Sequence, residues 1–272
     1  MAATLAAWLT VAWMSAHPFL EVLMAGVVST FVIFAFSMAF GNSSFYDAYW
    51  SVGPPLVGLY CLAIAEDGVA VRQVLVFAVL MLWAVRLTGN WAYGWTGIRH
   101  EDWRYQNLAD ISGRLWWLLS LTGVHLFPTL MILMGSIPLY PAISVGAEPL
   151  GWLDGLALAV GLGAVWLEFQ ADRELHRFRA VRTSRETVLD QGVWSWCRHP
   201  NYLGEIGFWV SLYLFGIAAW GGSYPWSWLG PVSMIVLFVG ISIPMIERKL
   251  STDKPAYADY QRRVKMLIPG IL

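Results

Sequence analysis

The sequence contains few charged residues for its length. Asp, Glu, Lys and Arg make up 13% of the 272 residues, whereas they make up about 25% of an ordinary soluble domain. Hydrophobic residues account for 58% of the chain, and the mean hydropathy is +0.56. The 17 tryptophans add to this signal, since indole rings favour membrane–water interfaces. The composition excludes a typical soluble protein and predicts an integral membrane protein.

Cysteine and net positive charge are also scarce. Cys61 and Cys197 lack the spacing of metal ligands, so we expect two ordinary thiols and no metal site. The formal net charge is −1, whereas a nucleic-acid partner would require a basic surface. No nucleic-acid partner is therefore expected.

The apolar N-terminal stretch MAATLAAWLTVAWMSA has no preceding positive residue. A cleavable signal peptide would need one, so we expect the stretch to be retained. Residues 3–15 then form either an extra helix or an extension of the first span.

A bilayer-spanning helix needs about 20 mostly apolar residues. The segments that meet or approach this length are 18–40, 51–66, 69–94, 114–136, 150–171, 204–221 and 226–246. If these spans alternate, 15 of the 17 Lys and Arg fall on one side of the membrane. Because positive loops favour the cytoplasm, we predict an all-α, multi-pass protein of about seven helices. Its single domain would have the N-terminus outside and the C-terminus in the cytoplasm.

Polar residues continue into the predicted fifth span. Glu168, Asp172, His176 and Arg179 are three or four residues apart and share one helical face. Ionisable residues at membrane depth are costly and commonly face a protein interior or an aqueous cavity. We therefore predict a binding face at Glu168 and Asp172. The alternative is a helix that outlasts the membrane, and for Arg86 the alternative is snorkelling to the interface.

Two further stretches suggest chemistry. Asp47, flanked by Tyr46 and Tyr49 in SFYDAYWSVGPP, is either a proton donor among aromatic rings or a helix N-cap. Asn201 and Glu205 lie four residues apart in RHPNYLGEIGFW, at the start of a helix. A carboxylate acceptor and an amide donor together can hold a planar amide. The alternative is a well-capped helix anchored at the interface.

The stretch SRETVLDQGVWSWCRHPNYLGEIGFW resembles the steroid 5α-reductase family, in particular its bacterial membrane proteins with an RHPNYxGE motif. The segments EDWRYQNLADISGR, FQADRELHRFR and IERKLSTDKPAYADYQRRVKMLIP resemble further parts of that family. Together these segments extend over about residues 47–269. The resemblance implies an NADPH-dependent oxidoreductase of the bacterial inner membrane, and we expect it to be a monomer. It would reduce the C4–C5 double bond of 3-oxo-Δ4-steroids or a related lipid enone, with NADPH entering from the cytoplasm and the substrate from the bilayer.

The resemblance also implies site residues. It assigns cofactor binding to the part of the chain from about 95 to 272, at Arg104, Arg114, Asp172, Arg179, Asn201, Glu205 and Arg248. To these we add Glu168, where animal members of that family carry Asn, and Arg198, His199 and Tyr202 of the motif. Asn201 and Glu205 would hold the nicotinamide end, and arginines suit phosphate because their planar fork binds it bidentately. Asp47, paired with Tyr46 or Tyr49, would polarise the enone carbonyl while a hydride reaches the β-carbon.

The RHPxYxG motif also resembles that of the isoprenylcysteine and phospholipid methyltransferases, which bind S-adenosylmethionine. This chain reads AAWGGSYPW where those enzymes tend to have Asn-Pro, and Glu247 is followed by Arg248 and Lys249 instead of a second glutamate. Positive charge suits a phosphate-bearing cofactor better than a sulfonium. A sterol reductase is a nearer alternative but is generally longer, and a non-catalytic lipid-binding protein is the third alternative.

Overall fold

The computed structural model describes residues 1–14, 17–184 and 186–271, and these residues form helices and no strands. The α-helices are α1 (Ala2–Trp13), α2 (Pro18–Phe40), α3 (Phe45–Ala63), α4 (Ala70–Gly94), α5 (Trp103–Ser112), α6 (Trp116–Leu119), α7 (Phe127–Ser136), α8 (Trp152–Val181), α9 (Pro200–Trp220), α10 (Leu229–Leu237), α11 (Ile243–Asp253) and α12 (Tyr257–Arg263). Shorter 3₁₀ segments are Gly113–Leu115 and Gly192–Ser195. The π-helical segments are Ser120–Leu126, Tyr140–Val145 and Phe238–Ser242. The predicted all-α class is confirmed.

Six helical stretches of the described chain are long and apolar enough to cross a membrane, so this is a multi-pass membrane protein. They are Pro18–Phe40, Ala70–Gly94, Trp103–Val145, Trp152–Val181, Pro200–Trp220 and Leu229–Asp253. The remaining predicted span, 51–66, corresponds to α3, whose 19 residues include Asp47, Pro54 and Pro55 and are not among the six.

Helix α3 nevertheless runs beside α2 over its full length. The chain turns between them at Gly41 (φ 60°), and near the other end of α3 Tyr60 donates a hydrogen bond of 2.6 Å to Glu21 of α2. Residues 2–13 form a separate helix on α2, where Ser29 donates to the carbonyl of Ala3 at 3.0 Å. Residues 2–13 are therefore an extra helix, one of the two predicted forms of the segment 3–15, whose last residue lies outside the described part of the chain.

Small residues bring α8 and α9 close together. A Cβ at Gly204 would overlap Glu168 Cγ and the carbonyl of Ala164, so only glycine fits at this approach. Further along, Ser211 donates a hydrogen bond of 2.7 Å to the carbonyl of Ala157. Small residues allow membrane helices to pack at short distance. This packing places Glu168 directly beside the first turns of α9.

Prolines explain two of the π-helical segments. Pro128 follows Ser120–Leu126, and Pro244 follows Phe238–Ser242. Proline lacks an N–H group and its ring clashes with the carbonyl of the preceding turn, so a wider turn before it relieves the clash. Such wide turns occur frequently at functional sites. Both segments contribute to the cavity described below.

A buried ion pair closes the end of the bundle where α4 and α8 begin. Arg72 is fully buried and holds Asp154 through two hydrogen bonds of 2.6 and 3.0 Å. It also donates to the carbonyls of Glu148, Pro149 and Ala218. Arg72 thus joins α4 to the start of α8, the loop before α8 and the end of α9. All these acceptors are backbone or structural groups, so its role is architectural.

We expect Arg72→Ala to lower the free energy of unfolding by about 3–5 kcal/mol, because Asp154 is left buried without its partner. The matched control is Arg262→Ala, which removes an exposed ion pair with Asp259 and should cost less than about 1 kcal/mol. Thermal unfolding in detergent measures both. Equal, small shifts of the melting temperature would show that the Arg72 network is not structural.

Candidate active site

A cavity of about 630 Å³ lies at the opposite end of the bundle, where α3 and α9 begin and α4 ends. Most of its polar lining residues come from five distant parts of the chain: Asp47, Arg86, Asn90, Asp102, Arg104, Tyr105, Glu168, Asp172, Asn201, Tyr202 and Glu205. Five of them carry carboxylates and two carry guanidinium groups. The cavity therefore holds an excess of potential negative charge.

Arg86 of α4 lies at the centre of the polar wall. It donates to Asp172 at 2.9 Å and forms an ion pair with Glu168. Its Nη2 atom also lies 3.7 Å from Glu205 Oε2. The side chains of Arg86 and Glu168 are 8% and 2% exposed, so their charges are shielded from water. Burial of unpaired charge is costly, and one guanidinium group here faces three carboxylates.

Glu205 is held by three tryptophans from three helices. Trp50 of α3 and Trp209 of α9 donate to Oε1 at 3.1 and 3.2 Å. Trp83 of α4 donates to Oε2 at 2.9 Å. The indole ring of Trp83 also stacks on Phe208, with ring centroids 4.2 Å apart. The carboxylate of Glu205 is thus fixed on both oxygen atoms.

Two buried side-chain atoms in the described chain have no hydrogen-bond partner, and both belong to this cluster. They are Arg86 Nε, a donor, and Glu168 Oε1, an acceptor. Buried polar atoms are nearly always paired in folded proteins, so an unpaired donor and acceptor at one cavity indicate a ligand. Asn201 lines the same cavity and makes no side-chain hydrogen bond to the described residues. A ligand with both donor and acceptor groups, such as an amide, matches this set.

The opposite wall carries Asp47. Tyr105 of α5 donates to Asp47 Oδ1 at 2.5 Å, and Arg104 Nη2 lies 3.8 Å from the same oxygen. The hydroxyl groups of the two tyrosines predicted as partners bond to residues other than Asp47. Tyr46 lines the cavity, but its hydroxyl group is 2.7 Å from Thr129 Oγ1, and the hydroxyl group of Tyr49 interacts with Ser29 and Thr30 on α2. The acid–tyrosine pair in the structure is Asp47 with Tyr105.

The turn between α2 and α3 fixes the position of α5 above Asp47. Asn42 donates to the carbonyls of Ile98 and His100 at 2.7 and 3.1 Å. Ser44 accepts a hydrogen bond of 3.0 Å from the backbone N–H of Asp102. Asp102 in turn caps α5. These contacts bring Tyr105 to Asp47 although 58 residues separate them in sequence.

The first residues of the RHPNYLGE motif hold the C-terminal tail. Arg198 donates to Glu247 at 2.7 Å and to the carbonyl of Val264 at 2.7 Å, and His199 lies 3.0 Å from the same glutamate. Gln261 also donates to Glu247, at 3.2 Å. Arg198 and His199 do not line the cavity, so their contacts position the tail and the start of α9.

Three further predicted cofactor residues lie outside the cavity. Arg114, Arg179 and Arg248 are exposed, and none lines it. Lys249, next to Arg248, lies 4.8 Å from the ring centre of Trp103 and so connects α11 to α5. Tyr202 does line the cavity, stacked on Phe238 at 4.9 Å.

A group of cations lies beyond the cavity at the end of α8. Lys254 donates to the carbonyl of Thr187 at 2.7 Å and lies 6.0 Å from the ring centre of Phe178. Burial lowers the pKa of Lys254, and the neighbouring positive charges of Arg182 and Arg179 lower it further. An anion would relieve the mutual repulsion of these three cations.

Cys197, which directly precedes the motif, is buried. Burial raises the pKa of its thiol to about 11.

Sequence reasoning missed Tyr105 and the three tryptophans around Glu205. Tyr105 lies in EDWRYQNLADISGR, a segment already singled out by its resemblance, but neither its partner nor its distance to Asp47 could be read from it. Composition assigns the tryptophans as a class to the membrane interface, and the resemblance places Trp83 at a position where animal members of the steroid 5α-reductase family carry tyrosine, without indicating a contact to Glu205. Trp83 and Trp209 are instead fully buried, and their spacing in sequence carries no signal of a shared carboxylate.

We expect Glu247→Ala to release the tail and to lower the free energy of unfolding by about 1–3 kcal/mol, because Arg198 and His199 lose their acceptor. Limited proteolysis should then cleave residues 254–271 faster than in the unaltered protein. Glu186→Ala, which removes an exposed carboxylate with no side-chain partner among the described residues, is the control. Unchanged cleavage of the Glu247 variant would contradict this role.

The comparisons with known proteins support a family assignment. Residues 33–264 match the family described as a protein of unknown function, DUF1295. The uncharacterized protein C594.04c of Schizosaccharomyces pombe is 27% identical over 282 residues, which cover 94% of this chain and 80% of that protein. No solved structure matches the chain significantly. Because the family match covers most of the chain and includes both walls of the cavity, the protein belongs to the DUF1295 family.

Proposed function

We propose that this protein is an NADPH-dependent membrane reductase of the steroid 5α-reductase type, acting on 3-oxo-Δ4-steroids or a related lipid enone. One observation carries the proposal. A single cavity has an acid–tyrosine pair on one wall, Asp47 with Tyr105, and an unpaired donor and acceptor on the other, Arg86 Nε and Glu168 Oε1. These are the groups required to polarise a carbonyl and to hold an amide.

The cofactor side of the site fits a nicotinamide. Glu168 Oε1 can accept from a carboxamide NH₂ group, and Arg86 Nε and Asn201 can donate to its carbonyl oxygen. The phosphate groups would lie towards Arg104 and the cations Arg179, Arg182 and Lys254, which belong to the same end of the bundle. NADPH supplies a hydride when bound. The chain's own residues bind and orient it and exclude water from the buried wall.

The substrate side is apolar. A second cavity of about 570 Å³ lies between α2, α3, α7 and α10, and Phe127 lines both cavities. Its lining is almost entirely hydrophobic, with side chains such as Leu130, Met131 and Trp226. A lipid whose carbonyl group reaches Asp47 and Tyr105 would extend its hydrocarbon part past Phe127 into this second cavity.

Asp47 and Tyr105 would act on the enone oxygen. Hydride addition to the β-carbon breaks the carbon–carbon π bond and moves negative charge to the carbonyl oxygen. When Asp47 is in its neutral form, its carboxyl O–H donates to the phenol oxygen of Tyr105, and the single phenol O–H is then free to donate to the enone oxygen and stabilise that charge. The nearby Arg104 helps to hold the pair in position. The α-carbon then takes a proton from water, which completes the saturated ketone.

The location of the site follows from charge. The motif end of the bundle carries 15 of the 17 Lys and Arg, so the positive-inside rule assigns it to the cytoplasm, where NADPH is available. The assignment to a bacterial inner membrane rests on the resemblance alone.

One observation favours a methyltransferase as the second candidate. Three carboxylates surround Arg86, and Trp50, Trp91 and Tyr202 line the same cavity. Acidic and aromatic groups together attract cations, and the sulfonium of S-adenosylmethionine is a cation. The cations beyond α8 favour a phosphate-bearing cofactor instead.

Ligand titration separates these candidates. A ligand in the cavity should quench the tryptophan fluorescence of the purified protein, because Trp50 and Trp91 line the cavity. We expect NADPH to quench it more strongly than NADH or S-adenosylmethionine, because the cations beyond α8 favour its additional phosphate group. A preference for S-adenosylmethionine would overturn the reductase. Indifference to all three ligands would favour a non-catalytic lipid-binding protein.

Tyr105→Phe and Asp47→Asn should each lower kcat for progesterone or testosterone by about 10²–10³-fold, because the developing oxyanion loses its donor or the group that positions it. Tyr213→Phe is the matched control, since that hydroxyl group bonds Ser223 far from the cavity. If Tyr46→Phe abolishes turnover while Tyr105→Phe does not, Tyr46 is the catalytic tyrosine.

A further inference from the structure

Three indole N–H groups converge on one carboxylate at the base of the cavity, at 2.9, 3.1 and 3.2 Å from Glu205. An indole is a donor only, so each of these tryptophans has its single polar atom committed to Glu205. Trp83 and Trp209 are fully buried, which removes water as a competing partner.

Most of the acceptor capacity of Glu205 is filled by these contacts. A carboxylate offers about four lone-pair directions on its two oxygens. Two on Oε1 accept from Trp50 and Trp209, and one on Oε2 accepts from Trp83. Arg86 faces Oε2 at 3.7 Å, so a ligand amide would have to displace an indole or the Arg86 guanidinium group to reach Glu205. The free acceptor on this wall belongs to Glu168 instead.

We infer that Trp50, Trp83 and Trp209 are positioning residues that hold Glu205 as a fixed anion, and that Glu205 in turn orients Arg86 for the ligand. Arg86 forms ion pairs with Glu205, Glu168 and Asp172, and its Nε atom and Glu168 Oε1 remain unpaired in this cluster. That donor and acceptor recognise a carboxamide. This last step rests on the proposed function, in which the carboxamide is that of the nicotinamide.

Trp83 is packed between two aromatic side chains. Its ring stacks on Phe208 and meets Trp209 edge-on, with ring centroids 4.2 and 5.5 Å apart. Its N–H cannot turn away without breaking that packing, because protein interiors are close-packed. Replacement of one of these tryptophans by phenylalanine keeps an aromatic ring but removes the donor. The carboxylate then loses one of its three anchors, and Arg86 loses its fixed orientation.

Binding of two ligands to a phenylalanine series tests the inference. In Trp50→Phe, Trp83→Phe and Trp209→Phe we expect the affinity for NADPH to fall on the order of tenfold, the effect of losing one charge-assisted hydrogen bond. Affinity for 2′,5′-ADP, which lacks the nicotinamide, should be unchanged. The control is Trp194→Phe, which removes an indole donor to the carbonyl of Ala171 outside the cavity and should affect neither ligand. Isothermal titration calorimetry measures all of them.

A second measurement uses the protein without ligand. With ¹⁵N-labelled tryptophan, the indole N–H signals of Trp50, Trp83 and Trp209 are assigned by their loss in the phenylalanine variants. They should exchange slowly with D₂O. Glu205→Gln should shift these three signals and speed their exchange, while the signal of Trp194 stays unchanged.

The outcomes separate the two proposals. If the unaltered protein does not bind NADPH, the proposed function fails, and the indole signals still decide the positioning role. If the protein binds NADPH but the phenylalanine variants bind it equally well, the positioning role is overturned and the reductase stands. If Glu205→Gln leaves the three indole signals unchanged, the tryptophans do not hold Glu205.

Discussion

The ion cluster around Arg86 is the interaction on which the candidate site depends. One guanidinium group from α4 meets Glu168 and Asp172 of α8 and Glu205 of α9. Isolated charges cannot be buried without large cost, so these helices must stay in register for the charges to be compensated. The close approach of α8 and α9 at Gly204 satisfies that requirement. The same constraint that stabilises the bundle therefore also forms the wall of the cavity.

Two cavities of the described chain differ in their lining. Charged side chains from five parts of the chain line the cavity at the motif end, whereas the one between α2, α3, α7 and α10 is lined almost entirely by apolar groups, and Phe127 lines both. A ligand with a reactive carbonyl group and a hydrocarbon body matches this division. A soluble polar substrate would make no favourable contacts with the apolar lining of the second cavity. The arrangement favours a lipid as the reacting molecule and a polar cofactor as its partner.

The sequence predicted the helices well because hydrophobic length is a local property. The segment 18–40 is a helix with those bounds, and 69–94 differs from Ala70–Gly94 by one residue. α3 was harder to classify, since its polar residues serve the cavity and lower its hydropathy. The face of Glu168 and Asp172 was also predictable, because a helical period of three or four residues places both on one side.

The partners within the site were not predictable, because they come from distant parts of the chain. Trp83 and Glu205 are 122 residues apart, and Trp50 and Glu205 are 155 apart. No local pattern relates such residues, and only the packing of α3, α4 and α9 brings them together. The motif predicts that Glu205 binds an amide directly, whereas in the structure its oxygens accept hydrogen bonds from three indole N–H groups. Arg198 and His199 belong to the same motif yet contact the tail, so a shared motif does not imply a shared role.

The most direct test of the account is the fate of the hydride. With NADPH that carries deuterium at the transferred position of C4, the reaction with progesterone should give a saturated ketone with deuterium at the former β-carbon, detected by mass spectrometry and NMR. Saturated product without deuterium would contradict direct hydride transfer. Absence of any saturated product, together with transfer of a labelled methyl group from S-adenosylmethionine to a lipid, would contradict the reductase itself.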